Sequence, residues 1–224
     1  MLTRRNFLRQ IAVLSATALS PLESLAGQSD EIKQRISDSI VTRAGTKYLQ
    51  IGNGVELEIV SPEDTPSPKE YQDPADAGIP LIVIPEKSWL GKNVAKNFRL
   101  EEFAIIPSPA RNKGTGIQMY DVEGRAYNKF LRIDPELVRR VQDIRKKFEK
   151  PIQVLSPYRS FTYNQKCGGA KKSRHVAGQA ADLTGNPLST LTNLAENEFK
   201  DGGVGRYKTF THVDTRGYKA RWKG

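Results

Sequence analysis

Cysteine and histidine are scarce in this 224-residue chain: one of the first and two of the second. A single cysteine excludes an intramolecular disulfide framework. Any chemistry that needs imidazole must rest on His175 and His212. Acidic residues are also in deficit, 25 against 35 Lys and Arg, for a net charge of +10. Such a surplus points to an anionic partner: nucleic acid, a membrane surface or an anionic polymer. No apolar run, the one of about a dozen residues near the start included, is long enough to span a bilayer. The length excludes a large multidomain enzyme, and with 38% hydrophobic residues the chain is not disordered throughout.

What is present begins with an address. Thr3-Arg4-Arg5-Asn6-Phe7-Leu8-Arg9 precedes a weakly apolar run, Ile11 to Leu22, and then Ser24-Leu25-Ala26. A charged region, a short apolar region and a small-x-small site make a secretory leader. Paired arginines followed by Phe7-Leu8 resemble a twin-arginine export signal. We place cleavage after Ala26, leaving no stable membrane span. Removing the leader's three arginines and one glutamate gives a mature net charge of +8. A basic protein in a periplasmic or otherwise extracytoplasmic compartment does not meet nucleic acid; peptidoglycan, with its peptide carboxylates, is the anionic polymer there.

The mature chain reads as two regions. In residues 27–95, Ile32, Ile36 and Ile40 hint at a helix, and two strand-like runs, Tyr48–Ile51 and Val55–Val60, flank Gly52-Asn53-Gly54 as a hairpin. Prolines 62, 66, 68 and 74 mark a loop or linker, and Leu81–Pro85 a short strand. This is a small β-containing accessory region. In residues 96–224, Asp134-Pro135-Glu136 starts a helix with Leu137, Val138, Val141, Ile144 and Phe148 on its apolar stripe. Pro151 stops it, and Ile152–Leu155 reads as a strand. The expected class is α+β, helices on a small, mainly antiparallel sheet.

Two segments carry chemistry. His175 and Asp182 lie seven apart around Gly178, which permits a turn; His212 and Asp214 share one face of a strand-like run. Zinc takes imidazole and carboxylate ligands, usually three in a catalytic site, with an open position for water. His175, Asp182 and His212 would supply three. Spacing alone leaves open that each histidine is only a hydrogen-bonded core or surface residue.

Ser173-x-His175-x-x-Gly178-x-Ala180-x-Asp182, followed by His212-x-Asp214, resembles the zinc D-Ala-D-Ala carboxypeptidase family, a LAS-type metallopeptidase family, and within it the MepK-like murein endopeptidase branch. Tyr158-Arg159-Ser160, Asn164, Gly168-Gly169 and Gly202–Tyr207 add to the likeness, which covers residues 96–224. The resemblance implies a hedgehog- or DD-peptidase-like fold, one Zn2+ per chain on His175, Asp182 and His212, and stem peptides of peptidoglycan as substrate. It implies that Arg159 meets the scissile carbonyl or a substrate carboxylate, and that Ser173, Arg174 and Tyr158 line the substrate site. Activity would be endopeptidase cleavage of cross-links, with D,D-carboxypeptidase activity or non-catalytic binding as alternatives, in a monomer.

The general base departs from the family pattern. Relatives place Glu three residues before the last zinc histidine, or His two before it; here those positions are Thr209 and Phe210. Asp214 is the replacement candidate, either as base or as a partner that orients His212 through its ring N–H. Cys167 reads as a loop thiol. Lys171, Lys172 and Arg174 form a basic cluster that either meets substrate carboxylates or is merely solvated. Arg216, Lys219, Arg221 and Lys223 could engage the polymer, with Trp222 closing the core.

Overall fold

A computed structural model describes residues 21–107, 118–120 and 123–224, with side chains from residue 27 onward. The twin-arginine motif and most of the expected leader lie outside the described residues. Helix α1 (Pro21–Asp38) runs across the expected cleavage point. No helix among the described residues is long and apolar enough to cross a membrane.

Ile32 and Ile36 are one turn apart on α1 and both are buried. Ile40, expected to continue that stripe, instead starts a strand, because the helix ends at Asp38. The strand β1 (Ile40–Arg43), β2 (Thr46–Gly52) and β3 (Val55–Glu58) form an antiparallel sheet, so the expected hairpin gains a third strand. The proline-rich stretch, residues 61–79, has no helix or strand. Then come β4 (Ile82–Val83), β5 (Asn93–Ala95), β6 (Phe98–Arg99), helix α2 (Leu100–Ala104), β7 (Gln118–Tyr120), β8 (Ala126–Asn128) and β9 (Phe130–Leu131). They pair as short antiparallel ribbons: β4 with β9, β5 with β6, β7 with β8.

Helix α3 (Pro135–Phe148) starts where its cap predicts: the Asp134 carboxylate accepts from the Glu136 N–H at 3.0 Å, and Pro135 opens the first turn. All five residues of its apolar stripe are buried. Strand β10 (Gln153–Ser156), helix α4 (Phe161–Lys166), β11 (Ala180–Thr184), α5 (Leu188–Glu198), β12 (Gly203–Arg206), β13 (Thr211–Asp214) and β14 (Ala220–Lys223) complete the chain. Five of these strands make the principal sheet, in the order β10-β11-β13-β12-β14. Its neighbours are antiparallel except β12 with β14. The molecule is thus a mixed α and β fold with small, mainly antiparallel sheets.

Alternation along the strands gives the principal sheet two different faces. Val154, Ala181, Leu183, Val204 and Val213 belong to the main apolar core. Helix α5 covers that side, and α3 packs on α5. The core continues without a break into Leu49, Ile51, Leu57, Leu81, Ile82 and Val94 of the N-terminal region. The position expected to separate the two regions, near residue 95, falls inside the β5–β6 hairpin.

Candidate metal centre

The opposite face of the sheet carries one row of residues, one from each of the five strands. Register places Ser156 beside Asp182, Asp182 beside His212, His212 beside Gly205, and Gly205 beside Trp222. Two residues along, the next row is Ala180, Asp214, Gly203 and Ala220. Its small residues make room for Asp214: a Cβ on Gly203 would stand 2.2 Å from Asp214 Oδ2.

His175 reaches this row from a loop. The chain turns at Gly178, whose φ of +75° favours glycine, and a Cβ there would lie 2.4 Å from the backbone of Arg132. The turn is braced: Ser173 O accepts from Val176 N at 3.2 Å, and Arg174 O from Gln179 N at 2.9 Å. Three donor atoms then converge. His212 Nδ1 is 3.0 Å from Asp182 Oδ1 and 3.1 Å from His175 Nε2, and His175 Nε2 is 3.4 Å from Asp182 Oδ1. All three side chains are buried.

The tautomers are set from behind. His175 Nδ1 lies 2.7 Å from the Pro157 carbonyl, which can only accept, so that nitrogen carries the proton. His212 Nε2 lies 3.1 Å from Asp214 Oδ2, an acceptor for the same reason. The lone pairs of His175 Nε2 and His212 Nδ1 therefore face each other beside an Asp182 oxygen. Three acceptors at such distances repel unless a cation lies between them. A tetrahedral zinc with bonds near 2.0–2.1 Å needs ligand atoms roughly 3.3 Å apart, so the donor set fits zinc.

A model of the family described as Peptidase M15 matches residues 98–214, a span that holds the triad. The chain belongs to the peptidase M15 family. Members are zinc-dependent metallopeptidases, and His175, Asp182 and His212 form a triad able to hold a metal ion. The comparison with curated proteins gives no match.

In this M15 peptidase the electrostatics favour a charged Asp182. Burial would raise its pKa, but His175 and His212 hold it below the usual carboxylate range. Arg159 Nη2 pairs with it at 2.7 Å. Burial lowers the pKa of His175. Burial also opposes charge on His212, but Asp182 and Asp214 outweigh it and raise that pKa.

The triad forms part of the floor of a cleft of about 590 Å³. Arg159, Ser173 and Arg174 line it, as expected. Arg159 Nη2 is committed to Asp182, and its Nε donates to Ser156 Oγ at 2.9 Å. Arg174 donates to Gln179 Oε1 at 2.7 Å. Tyr158 requires correction: it is 2% exposed, belongs to the main core and does not line the cleft. Burial pushes its phenol pKa up.

The two readings of Asp214 separate on geometry. It is fully buried and does not line the cleft. Arg216 grips its carboxylate with Nε at 2.7 Å and Nη2 at 2.6 Å, and the Gly203 and Arg216 backbone N–H groups donate to Oδ1. Burial opposes the charge, but Arg216 and His212 hold the pKa below the usual range. A carboxylate so committed is a poor proton acceptor; it orients His212, and its reading as the general base is withdrawn. Thr209 and Phe210 do not replace it. Asp182 is the cleft's only acidic lining residue among the described residues.

Sequence reasoning missed the role of Arg216, and that of Arg221. Arg221 donates to the carbonyls of Gly202, Glu196 and Phe199, the last two at the end of α5, so it serves the fold rather than a polymer. Trp222, expected in the core, instead leans over Gly205, with its ring 5.2 Å from His212. The spacing Gly203-x-Gly205 against His212-x-Asp214 was the available signal: two missing side chains opposite two large polar ones.

Proposed function

We propose that this M15 peptidase is a zinc-dependent endopeptidase that cleaves cross-links between peptidoglycan stem peptides outside the cytoplasm. The observation that carries the reading is a metal triad at the floor of a cleft with surplus positive charge. Arg159 and Arg216 are balanced by Asp182 and Asp214. Arg174 has only an amide partner, and Lys172 has no hydrogen-bonding or acidic partner among the described residues. That surplus suits the free carboxylates of stem peptides. The leader's resemblance to a twin-arginine signal supports the compartment.

Zinc, when bound, supplies a nucleophilic water at neutral pH and polarises the substrate carbonyl. The chain's own residues do the rest. Asp214 and the Pro157 carbonyl hold both imidazoles in the ligating tautomer. Arg159 holds Asp182 through an ion pair and offers its remaining N–H groups toward the cleft. Lys172 and Arg174 bind a substrate carboxylate.

A D,D-carboxypeptidase would use the same cations for a C-terminal carboxylate, and Lys172 keeps that second reading in play. Mass spectrometry of cross-linked muropeptides incubated with zinc-loaded residues 27–224 tests both, with His175→Ala as control. New monomers that the control does not produce are the expected result. Loss of one D-Ala from monomers, with dimers untouched, would replace the proposal with the carboxypeptidase. No change in any species, together with sacculus binding, would make the protein a non-catalytic binder.

A further inference from the structure

The cleft carries a hydroxyl whose surroundings aim it. Tyr207 is half-buried in the cleft wall, on the β14 side of His212. Its ring stacks on Phe210, centroids 4.3 Å apart and planes 13° apart, and its backbone N–H donates to the Phe210 carbonyl at 3.1 Å. Gly224 also presses close: a Cβ on it would stand 2.1 Å from Tyr207 Cε1. The ring therefore has little freedom to swing.

The hydroxyl oxygen accepts from Trp222 Nε1 at 3.1 Å. An indole N–H can only donate, so this bond consumes an oxygen lone pair and leaves the phenolic proton unused. No described residue accepts that proton. Trp222 is itself held beside the triad, its ring 5.2 Å from His212, because Gly205 leaves space beneath the indole. Arg216, 5.1 Å from the Trp222 ring centroid, covers the indole as well. A neutral donor is thus built into the cleft wall on the indole that stands beside His212, in a cleft whose guanidiniums, Arg159 and Arg216, each hold a carboxylate.

We infer that the Tyr207 hydroxyl is a catalytic residue: it donates a hydrogen bond to the carbonyl oxygen of the scissile peptide as that oxygen gains negative charge. The inference rests on the peptidase reading and assigns Tyr207 no proton transfer. As water's oxygen bonds to the carbonyl carbon, water gives up a proton to solvent in the open cleft, the carbonyl π pair moves onto its oxygen, and the phenolic O–H meets that oxygen there. The bond strengthens with developing charge, so it acts on the transition state more than on bound substrate.

Tyr207→Phe removes one oxygen and keeps the stack on Phe210. In zinc-loaded protein the expected result is a fall in kcat on the order of 10²-fold with KM little changed, the usual cost of one such donor. Affinity for a phosphinate analogue of the scissile dipeptide, measured by calorimetry, should fall by a similar factor. Zinc content and Tm should match the wild type. An active wild type with Tyr207→Phe within about twofold in both kcat and phosphinate affinity would overturn the inference and leave the peptidase reading standing. A wild type that cleaves no muropeptide would overturn both. If Tyr207→Phe loses zinc or fails to fold, Trp222→Phe decides: it removes the N–H that aims the hydroxyl, and an unchanged kcat would count against the assignment.

Discussion

At the residue scale, Asp214 shows how a site residue acts without touching substrate. Its carboxylate fixes one His212 nitrogen as donor, so the other must present a lone pair. Asp214→Asn should weaken zinc affinity by roughly 10–100-fold, measured by competition with a chromogenic chelator. It should also destabilise the fold, because Arg216 loses its carboxylate. Full zinc retention with lost turnover would instead restore Asp214 as the base. His175→Ala and Asp182→Asn each remove a ligand and should abolish stoichiometric zinc. Acidity acts on the same atoms. His212 has a pKa raised above 6.5, so a proton competes with metal at higher pH than at an ordinary histidine. The sign follows: zinc affinity should fall as pH drops, and the fall should begin at higher pH than for a site built on an ordinary histidine. An isothermal titration series from pH 8 to about 5.5 would show it, and a flat profile across that range would contradict it.

At the element scale, the site depends on what one strand omits. Glycine at 203 and 205 lets Asp214 and Trp222 lie across β12. Gly203→Ala should cost about 1–3 kcal/mol through overpacking and weaken zinc as well, since the displaced group is the partner of His212. Gly178→Ala meets both a positive φ and the Arg132 backbone, so its cost should exceed about 1 kcal/mol. Urea denaturation of the three proteins would rank them. The cap of α3 extends the same logic. Asp134 is fully buried, and besides the cap it binds Arg35 of α1 at 2.7 Å and the Thr215 hydroxyl. Asp134→Ala should therefore cost more than the ~1 kcal/mol of an ordinary cap, because Arg35 is left without its carboxylate.

At the scale of the whole molecule, the N-terminal region is part of the structural support of the site. Ile32 and Ile36 of α1 pack in one cluster with Ala177, on the loop that carries His175. A Cβ on Gly217, just beyond Asp214, would stand 2.9 Å from Ile32. The main core crosses from Leu49 and Leu57 to Val141 and Val213. Residues 96–224 alone would expose that interface to water, and burial of such surface contributes roughly 25 cal/mol per Å². The isolated segment should aggregate or bind zinc poorly, measured by soluble yield and metal content. A soluble, zinc-loaded 96–224 fragment with full activity would refute the coupling.

Local rules account for what was legible in the sequence. Helix α3 announced itself through its cap, its proline and an apolar period, all within fifteen residues. The triad was legible because only two histidines exist, each with an aspartate at a usable offset and Gly178 to permit the turn. Tertiary structure alone decided the rest, because the deciding contacts join distant residues. Which carboxylate serves as ligand and which as orienting partner follows from strand register, which sets Asp182 and Asp214 on either side of the His212 ring. The misplaced Tyr158 and the unforeseen Arg216 and Trp222 have the same cause. A side chain's partner depends on which strands lie side by side, and nothing local in the sequence states that the last strand would lie parallel to β12 and bring Trp222 over His212.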